Sequence, residues 1–206
     1  MEILKVEQVG VDTAAARAAA VIAAGGVVIY PTDTLYGIGV NALDRSALKR
    51  MRSLKMRDEK KPVSIMVPSV AAISWHADLT PVAGELAHRF LPGKLTLVVP
   101  AKEHLPKEVT LNDAIGVRVP DDAFSQTLAA MSEYPITATS ANMAGASTPA
   151  TVPEIIMHFG RNIALIDLFV DDGPRAGDTP STVVADMGGV LRVLREGALT
   201  REALGL

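Results

Sequence analysis

The strongest candidate for binding chemistry in this sequence is a short basic segment between residues 45 and 61. Its basic residues are Arg45, Lys49, Arg50, Arg52, Lys55, Arg57, Lys60 and Lys61. With two acids, Asp58 and Glu59, the segment has a formal charge of +6, and because the whole chain carries −3 the remainder carries −9. A basic island in an acidic chain indicates an anionic partner, either a polyphosphate or a nucleic acid.

The position of each basic residue decides whether we expect it to meet that partner. Lys55, Arg57 and Lys61 fall at the end of a predicted helix and in the loop after it, where side chains can converge. The four earlier basic residues, Arg52 among them, fall within the helix and are expected on a solvated face.

A polar loop, YPTDTLYGIG over residues 30–39, follows a β-branched run that is typical of a buried strand. Its hydroxyls and carboxylate could bind a small polar ligand, because open α/β sheets bind ligands beyond strand ends. A turn in which Thr32 and Asp33 satisfy their own backbone fits equally well. The G-x-G-x-x-A pattern from Gly37 is not a dinucleotide fingerprint, because its glycines do not open a helix.

A second polar turn contains Ser140, Ala141 and Asn142 and follows a short strand. Small hydroxyl and amide side chains allow a backbone to approach a phosphate or ribose closely. A structural Ser/Asn turn is equally consistent. The sequence has no G-x-S-x-G elbow, so a nucleophilic serine is disfavoured.

Two arginines and four histidines are the remaining candidates for functional side chains. Arg118 lies inside an apolar strand, where it needs an anion, several acceptors or a buried salt bridge. Arg195 ends the last predicted strand. The four histidines lack metal-ligand spacing, so we expect them to be structural or surface residues and predict no protein-held metal.

Composition restricts the function classes. The chain has 206 residues, 49% of them hydrophobic and 21% charged, which is typical of a globular domain. The absence of cysteine excludes disulfides, cysteine-bound metals and thiol nucleophiles. No apolar run approaches the roughly 18 residues of a membrane span, and no secretory signal is visible. We therefore expect a cytoplasmic protein with no membrane contact.

Strand and helix patterns alternate in the first half of the chain, while the last part carries strands without helices between them. The predicted strands cover residues 27–30, 63–67, 95–99, 115–119, 136–139, 164–170, 182–185 and 190–194. The predicted helices begin near residues 12, 45, 81 and 152. This order predicts an α/β fold with a mixed sheet flanked by helices, as a single domain over residues 1–206.

Taken together, the motifs resemble those of the YrdC-type threonylcarbamoyl-AMP synthases, in the same order and between about residues 25 and 197. The matching segments are residues 30–37, Lys55-x-Arg57, Lys61-Pro62, Pro92-Gly93, residues 117–120, Ser140-Ala141-Asn142, Ser181-Thr182-Val183 and Arg195-Glu196-Gly197. The resemblance implies a twisted sheet curled around a positively charged cleft. It also implies condensation of L-threonine, bicarbonate and ATP to L-threonylcarbamoyladenylate and pyrophosphate, for t6A37 modification of tRNA.

Site roles follow from the same resemblance. Lys55, Arg57, Ser140 and Asn142 match the family's catalytic tetrad around the nucleotide. The resemblance implies further ATP contacts for Lys61, Thr148 and Arg195. It implies threonine binding for Thr32, Thr34, Arg118 and Ser181. Mg²⁺ is expected to arrive with ATP, held by phosphates and water. Transfer RNA and tRNA-modification proteins are possible partners.

Departures from the family pattern leave two alternatives. Met66 stands where many relatives have histidine, Met56 where glycine is common and Lys94 where proline is usual. One alternative is a YciO-like paralogue that binds another nucleotide. The other is a module that binds double-stranded RNA or tRNA, which a net charge of −3 and 4% aromatic residues disfavour.

Overall fold

The structure, a computed structural model, describes residues 1–56, 62–175 and 179–206. Its strands are β1 (Glu2–Lys5), β2 (Val28–Tyr30), β3 (Gly37–Gly39), β4 (Ser64–Met66), β5 (Leu95–Pro100), β6 (Ala114–Arg118), β7 (Ile136–Ser140), β8 (Leu168–Asp171), β9 (Thr182–Asp186) and β10 (Leu191–Arg195). Its α-helices are α1 (Val6–Val9), α2 (Val11–Ala23), α3 (Arg45–Lys55), α4 (Pro81–Phe90), α5 (Ala123–Met131), α6 (Val152–Phe159) and α7 (Arg201–Leu204). Two 3₁₀ helices cover Ala71–Trp75 and Gly160–Leu165.

Within the described residues the ten strands form one mixed sheet, in the order β1-β8-β2-β3-β7-β4-β6-β5-β9-β10. The pairs β1–β8, β8–β2, β4–β6 and β5–β9 are parallel, and the others are antiparallel. The predicted α/β class with a mixed sheet is therefore confirmed. The predicted strand over 164–170 begins only at Leu168, because residues 160–165 form a 3₁₀ helix.

Alternate residues of the strands pack on opposite faces of the sheet, as the period of two requires. Ile29 and Phe169 belong to one core cluster, to which α3, α4 and α6 contribute. Val28 and Leu168 belong to a second cluster on the other face, to which α2 and α5 contribute. The second cluster does not extend to β5 and β9. That part of the sheet face is left for the cavity described below.

Helix α3 shows which of the basic residues are solvated. Its N-cap Asp44 accepts hydrogen bonds from the amides of Ser46 and Ala47, which fixes where the helix begins. Its apolar residues Ala47, Leu48, Met51 and Leu54 are buried, as their spacing predicted.

The expectation of a solvated basic face on α3 is wrong for Arg52 and holds only in part for Arg50, which is half-buried. Arg52 is buried and donates a hydrogen bond to the main-chain oxygen of Glu108. Arg50 donates to the main-chain oxygens of Gly25 and Leu165 and pairs with Asp167 at 2.8 Å. Arg45 and Lys49 are exposed. The two inner arginines reach carbonyl groups of segments distant in sequence, which helical periodicity alone does not reveal.

The two glycines of the G-x-G pattern lie in β3, antiparallel to β2, and not at the start of a helix. A Cβ atom on Gly37 would lie 2.8 Å from Cζ of Tyr30, and one on Gly39 would lie 3.0 Å from Cε1 of the same ring. The pattern therefore makes room for the buried Tyr30 ring, and its rejection as a dinucleotide motif is consistent with this geometry.

Candidate active site

A cavity of about 790 Å³ lies over the part of the sheet that α2 and α5 leave uncovered. Alternate residues of β5 show how its floor forms. Thr96, Val98 and Pro100 line the cavity, whereas Leu95 and Leu97 point into the core on the opposite face. A volume of this size is sufficient for a nucleotide-sized ligand.

The turn before β3 supplies two hydroxyl groups to the cavity, from Thr32 and Thr34. Oγ1 of Thr32 accepts the amides of Thr34 and Leu35 at 3.1 and 3.2 Å, and donates to the Leu35 main-chain oxygen at 2.6 Å. Thr32 therefore satisfies its own backbone. It also lines the cavity, and its contact with a ligand stays a prediction. Among the described residues, the Asp33 carboxylate accepts a hydrogen bond from Arg118 and none from a backbone amide.

Arg118 is buried, yet it lines the cavity. Its Nη2 donates to Oδ1 of Asp33 at 2.5 Å, its Nη1 to Oγ1 of Thr34 at 3.2 Å, and its Nε to the main-chain oxygen of Gly93 at 3.4 Å. The buried salt bridge left open by the sequence is present, together with a position facing a ligand space.

Ser181 and Arg195 line the same cavity. The hydroxyl groups of Ser181 and Thr96 lie 2.8 Å apart, and Nη2 of Arg195 donates to the Ser181 main-chain oxygen at 2.8 Å. Burial, together with the positive charge of Arg118, lowers the pKa of Arg195. Two guanidinium groups that repel each other across one cavity favour an anion between them.

The turn after β7 is held by a network of hydrogen bonds centred on Asn142. Oδ1 of Asn142 accepts from the hydroxyl groups of Ser140 and Thr148, the latter at 3.3 Å. Its Nδ2 donates to the main-chain oxygens of Met143 and Ala146 at 2.9 and 2.6 Å. The structure thus brings Ser140, Asn142 and Thr148 together, and Ser140 lines the cavity.

Lys55 reaches the same turn from the end of α3. Its Nζ donates to the main-chain oxygens of Ser140 and Asn142, the second at 2.9 Å, and lies 3.4 Å from Oδ1 of Asn142. The residue as a whole is 2% exposed. In this structure the ammonium group is directed at the turn, while its contact with phosphate oxygens stays a prediction.

Two of the predicted ATP-binding residues, Arg57 and Lys61, lie outside the described residues, and their roles stay predictions. Pro62 and Val63, which follow them, line the cavity. Met66 packs in the buried cluster with Tyr30 and Ile136 and is not among the lining residues.

Sequence reasoning missed two residues that shape the site. The hydroxyl of Tyr36 donates to the Gly173 main-chain oxygen at 2.7 Å and accepts the Asp172 amide, and burial raises the pKa of Tyr36 to about 12. Nε2 of His158 accepts the Met143 amide at 2.9 Å, which ties α6 to the turn after β7. Tyr36 belongs to the polar loop over residues 30–39, whereas no local sequence pattern indicated a role for His158.

Two further findings concern ligands and membranes. Across residues 1–56, 62–175 and 179–206, no group of three or more His, Asp or Glu side chains is placed to hold a metal ion. None of the helices in these ranges combines the length and the apolar character needed to cross a bilayer.

Comparison with known proteins gives a family match over most of the chain. The profile of the family Sua5_yciO_yrdC, described as Telomere recombination, matches residues 20–197. The chain is 35% identical over 189 residues to the threonylcarbamoyl-AMP synthase of Pyrococcus abyssi, covering 91% of this chain and 55% of that protein. It is 35% identical over 199 residues to the Bacillus subtilis enzyme of the same name, covering 94% and 56%. It thus spans a little over half of these two relatives.

Shorter relatives and solved structures agree with this match. A Methanocaldococcus jannaschii relative is 34% identical over 180 residues, and the match covers 87% of this chain and 84% of that protein. The crystal structure of P. abyssi Sua5 complexed with L-threonine is similar with a TM-score of 0.86 at 35% identity, covering 98% of this chain and 59% of that one. Escherichia coli YciO shares the fold, with a TM-score of 0.84 at 24% identity, covering 94% and 93%.

Proposed function

This chain belongs to the Sua5_yciO_yrdC family, and from that membership together with the geometry of the cavity we propose that it is a threonylcarbamoyl-AMP synthase. The amine of L-threonine and bicarbonate form a carbamate with loss of one water molecule, and the carbamate reacts with ATP to give L-threonylcarbamoyladenylate and pyrophosphate. The product supplies t6A modification of tRNA. The observation that carries the proposal is one cavity lined by Thr34, Arg118 and Ser181, to which the resemblance assigns threonine, and by Ser140 and Arg195, to which it assigns ATP.

The sheet explains why two distant motifs meet at this cavity. β3 pairs with β7, with Gly37 opposite Ser140, and the Ala141 amide donates to the Tyr36 main-chain oxygen at 2.7 Å. The turn before β3, which contains Thr32 and Thr34, and the turn after β7, which contains Asn142, are therefore neighbours across one antiparallel strand pair. Adjacent binding of the two substrates lowers the entropic cost of their reaction.

The chemistry needs cationic groups more than it needs a nucleophile. Threonine carbamate attacks the α-phosphorus, the bond from that phosphorus to the bridging oxygen breaks, and pyrophosphate leaves with the electron pair. Negative charge builds on the phosphate oxygens, so a fixed cationic donor such as Arg195 stabilises the transition state. We assign Arg57 and Lys61 to the same task, the stabilisation of negative charge on the phosphates of ATP. The Ser140 hydroxyl donates to Oδ1 of Asn142 and thereby shapes the turn that is proposed to hold the nucleotide. Mg²⁺ is bound chiefly by the phosphates and water.

The residues near threonine serve recognition. Arg118 offers charge-assisted hydrogen bonds to the carboxylate, and Thr34 and Ser181 offer hydroxyl groups beside it. Threonine, ATP and bicarbonate are the proposed substrates, and a cytoplasmic enzyme acting upstream of tRNA modification is the proposed setting.

Mass spectrometry of the purified protein with ATP, L-threonine and bicarbonate tests the function. We expect threonylcarbamoyl-AMP and pyrophosphate, with no product when any one substrate is omitted. Serine and valine replace threonine in parallel reactions, to measure what the hydroxyl and methyl groups contribute. ATP consumption that is independent of threonine would contradict the proposal and favour a YciO-like paralogue.

An RNA-binding assay distinguishes the proposed synthase from the remaining alternative, a module that binds double-stranded RNA or tRNA. If the basic residues serve ATP, RNA affinity is modest and falls steeply with salt. Tight RNA binding at physiological salt that ATP does not displace would favour an RNA-binding module.

A further inference from the structure

Asp33 lies against Arg118 but does not line the main cavity. It lines a separate shallow groove with Arg89, Pro92 and Gly93. The Asp33 and Arg118 side chains are 7% and 10% exposed, so their ion pair is largely removed from water. Arg118 therefore contacts the carboxylate while facing the ligand space.

The surroundings of Asp33 are unusual for a buried carboxylate. Its Oδ1 accepts from Arg118, but among the described residues its Oδ2 is buried without a hydrogen-bond partner. A buried acceptor without a partner destabilises a fold, and a buried ion pair is often no more stabilising than apolar packing. Stability alone gives little reason for this arrangement, and the guanidinium that Asp33 holds gives another.

The donors of Arg118 can be counted. A guanidinium has five N–H groups in a planar fork. One on Nη2 is directed to Asp33, one on Nη1 to Thr34 and the one on Nε to the Gly93 main chain. Within the part of the chain that the structure describes, one N–H on each terminal nitrogen is left. Two such groups match the two oxygens of a carboxylate.

We propose that Asp33 is the positioning residue that holds Arg118 with its two remaining N–H groups aimed at the substrate carboxylate. This rests on the proposed function, because threonine supplies that carboxylate. The hydrogen bonds to Asp33, Thr34 and Gly93 together fix the plane of the guanidinium group. The negative charge of Asp33 also offsets the charge of Arg118, which disfavours capture of a polyphosphate at the threonine end of the cavity.

Calorimetry on four proteins tests this role: wild type, Asp33→Asn, Arg118→Ala and the double variant. L-Threonine is titrated with ATP present and bicarbonate omitted, so that no turnover occurs, and ATP is titrated separately. Asp33→Asn keeps the size and one acceptor oxygen but removes the charge. We expect it to weaken threonine binding by about 10 to 100 fold, as a small misplacement of a binding group does, with ATP affinity within about twofold.

The double variant distinguishes positioning from general damage. If Asp33 acts through Arg118, Asp33→Asn has no further effect on threonine affinity once Arg118 is alanine. Asp33→Glu is a second variant, which retains the ion pair but displaces the guanidinium, and we expect it to weaken threonine binding as well. Asp78→Asn, which removes an exposed ion pair with Lys102, is the matched control.

The possible outcomes separate the two proposals. Unchanged threonine affinity in Asp33→Asn, or effects of Asp33 and Arg118 that add independently, would overturn the positioning role and leave the proposed function intact. Parallel losses of threonine and ATP affinity in Asp33→Asn would also overturn it. Failure of the wild-type protein to bind threonine would refute the function, and the role of Asp33 with it.

Discussion

Lys55 Nζ donates to the main-chain oxygen of Asn142 at 2.9 Å, so the last residue of α3 is bonded to the turn that follows β7. The ammonium group also donates to the Ser140 main-chain oxygen. This relationship joins the basic segment to the polar turn through one buried side chain. It assigns Lys55 the task of shaping the turn that is proposed to hold ATP.

The first prediction concerns Lys55. Lys55→Met keeps the aliphatic length but removes all three ammonium donors, so the carbonyl groups of the turn lose their shared partner. We expect ATP affinity to fall by about tenfold or more, since a charged hydrogen bond contributes about 1.5–3 kcal/mol. Threonine affinity should change little. Lys49→Met, on the exposed part of α3, is the control, and wild-type ATP affinity in Lys55→Met would contradict the assignment.

A second prediction separates the two proposed anion sites. Arg57→Ala should weaken ATP binding and slow adenylate formation by about 10 to 1000 fold, because truncating one member of a charge pair that ligand binding buries costs about 2–5 kcal/mol. Arg118→Ala should weaken threonine binding instead. Calorimetry with each substrate gives the comparison, and the reverse pattern would show that the two ends of the cavity are assigned the wrong way round.

Arg52 gives a third prediction, about stability. Arg52→Ala removes a buried guanidinium that donates to the Glu108 main-chain oxygen. We expect the free energy of unfolding to fall by about 1.5–3 kcal/mol, while the folded variant binds ATP normally. Urea unfolding provides the measurement. Arg45→Ala, at an exposed position of the same helix, should change stability far less.

Two glycine substitutions form the fourth prediction. Gly37→Ala places a Cβ 2.8 Å from the buried Tyr30 ring, and overpacking of this kind costs about 1–3 kcal/mol. Gly84→Ala, within α4, meets no atom within 4 Å and should stabilise the protein by about 0.5–1 kcal/mol. Thermal unfolding of both variants tests the pair. Equal effects would show that the Tyr30 contact does not constrain Gly37.

The fifth prediction is a pH dependence at His76. Its Nδ1 lies 3.0 Å from Nε2 of His104, and burial, with the charge of His104, lowers the pKa of His76. The folded pKa is below the unfolded value of about 6.5. The neutral form is thus favoured by folding, so this contribution is present above pH 6.5 and is lost as pH falls through the lowered pKa.

Variants make this pH effect measurable. Urea unfolding between pH 5 and 7.5 should show a weaker pH dependence in His104→Ala, because one cause of the lowered pKa is removed. His88→Asn is the matched control on another helix. A pH dependence that is identical in wild type and His104→Ala would contradict the pairing.

The sequence by itself determined the α/β class, the mixed sheet and most helix positions, because hydrophobic period and capping residues are local signals. It also located the two polar turns and Arg118. Helices α1, α5 and α7 and strands β1 and β3 escaped it. All of these except α5 are only three or four residues long, and β3 falls within the segment interpreted as a polar loop. The sequence did not predict the strand order, because the hydrophobic periodicity of one segment does not indicate which distant strand it pairs with.

Only the tertiary structure decided which side chains face each other. Asp33 and Arg118 are 85 positions apart, and Lys55 and Asn142 are 87 apart. The burial of Arg52 depends on a carbonyl group 56 positions away. A charged residue has the same local pattern whether it meets water or a distant carbonyl group. Its role is settled only when the sheet brings the partner within hydrogen-bond distance.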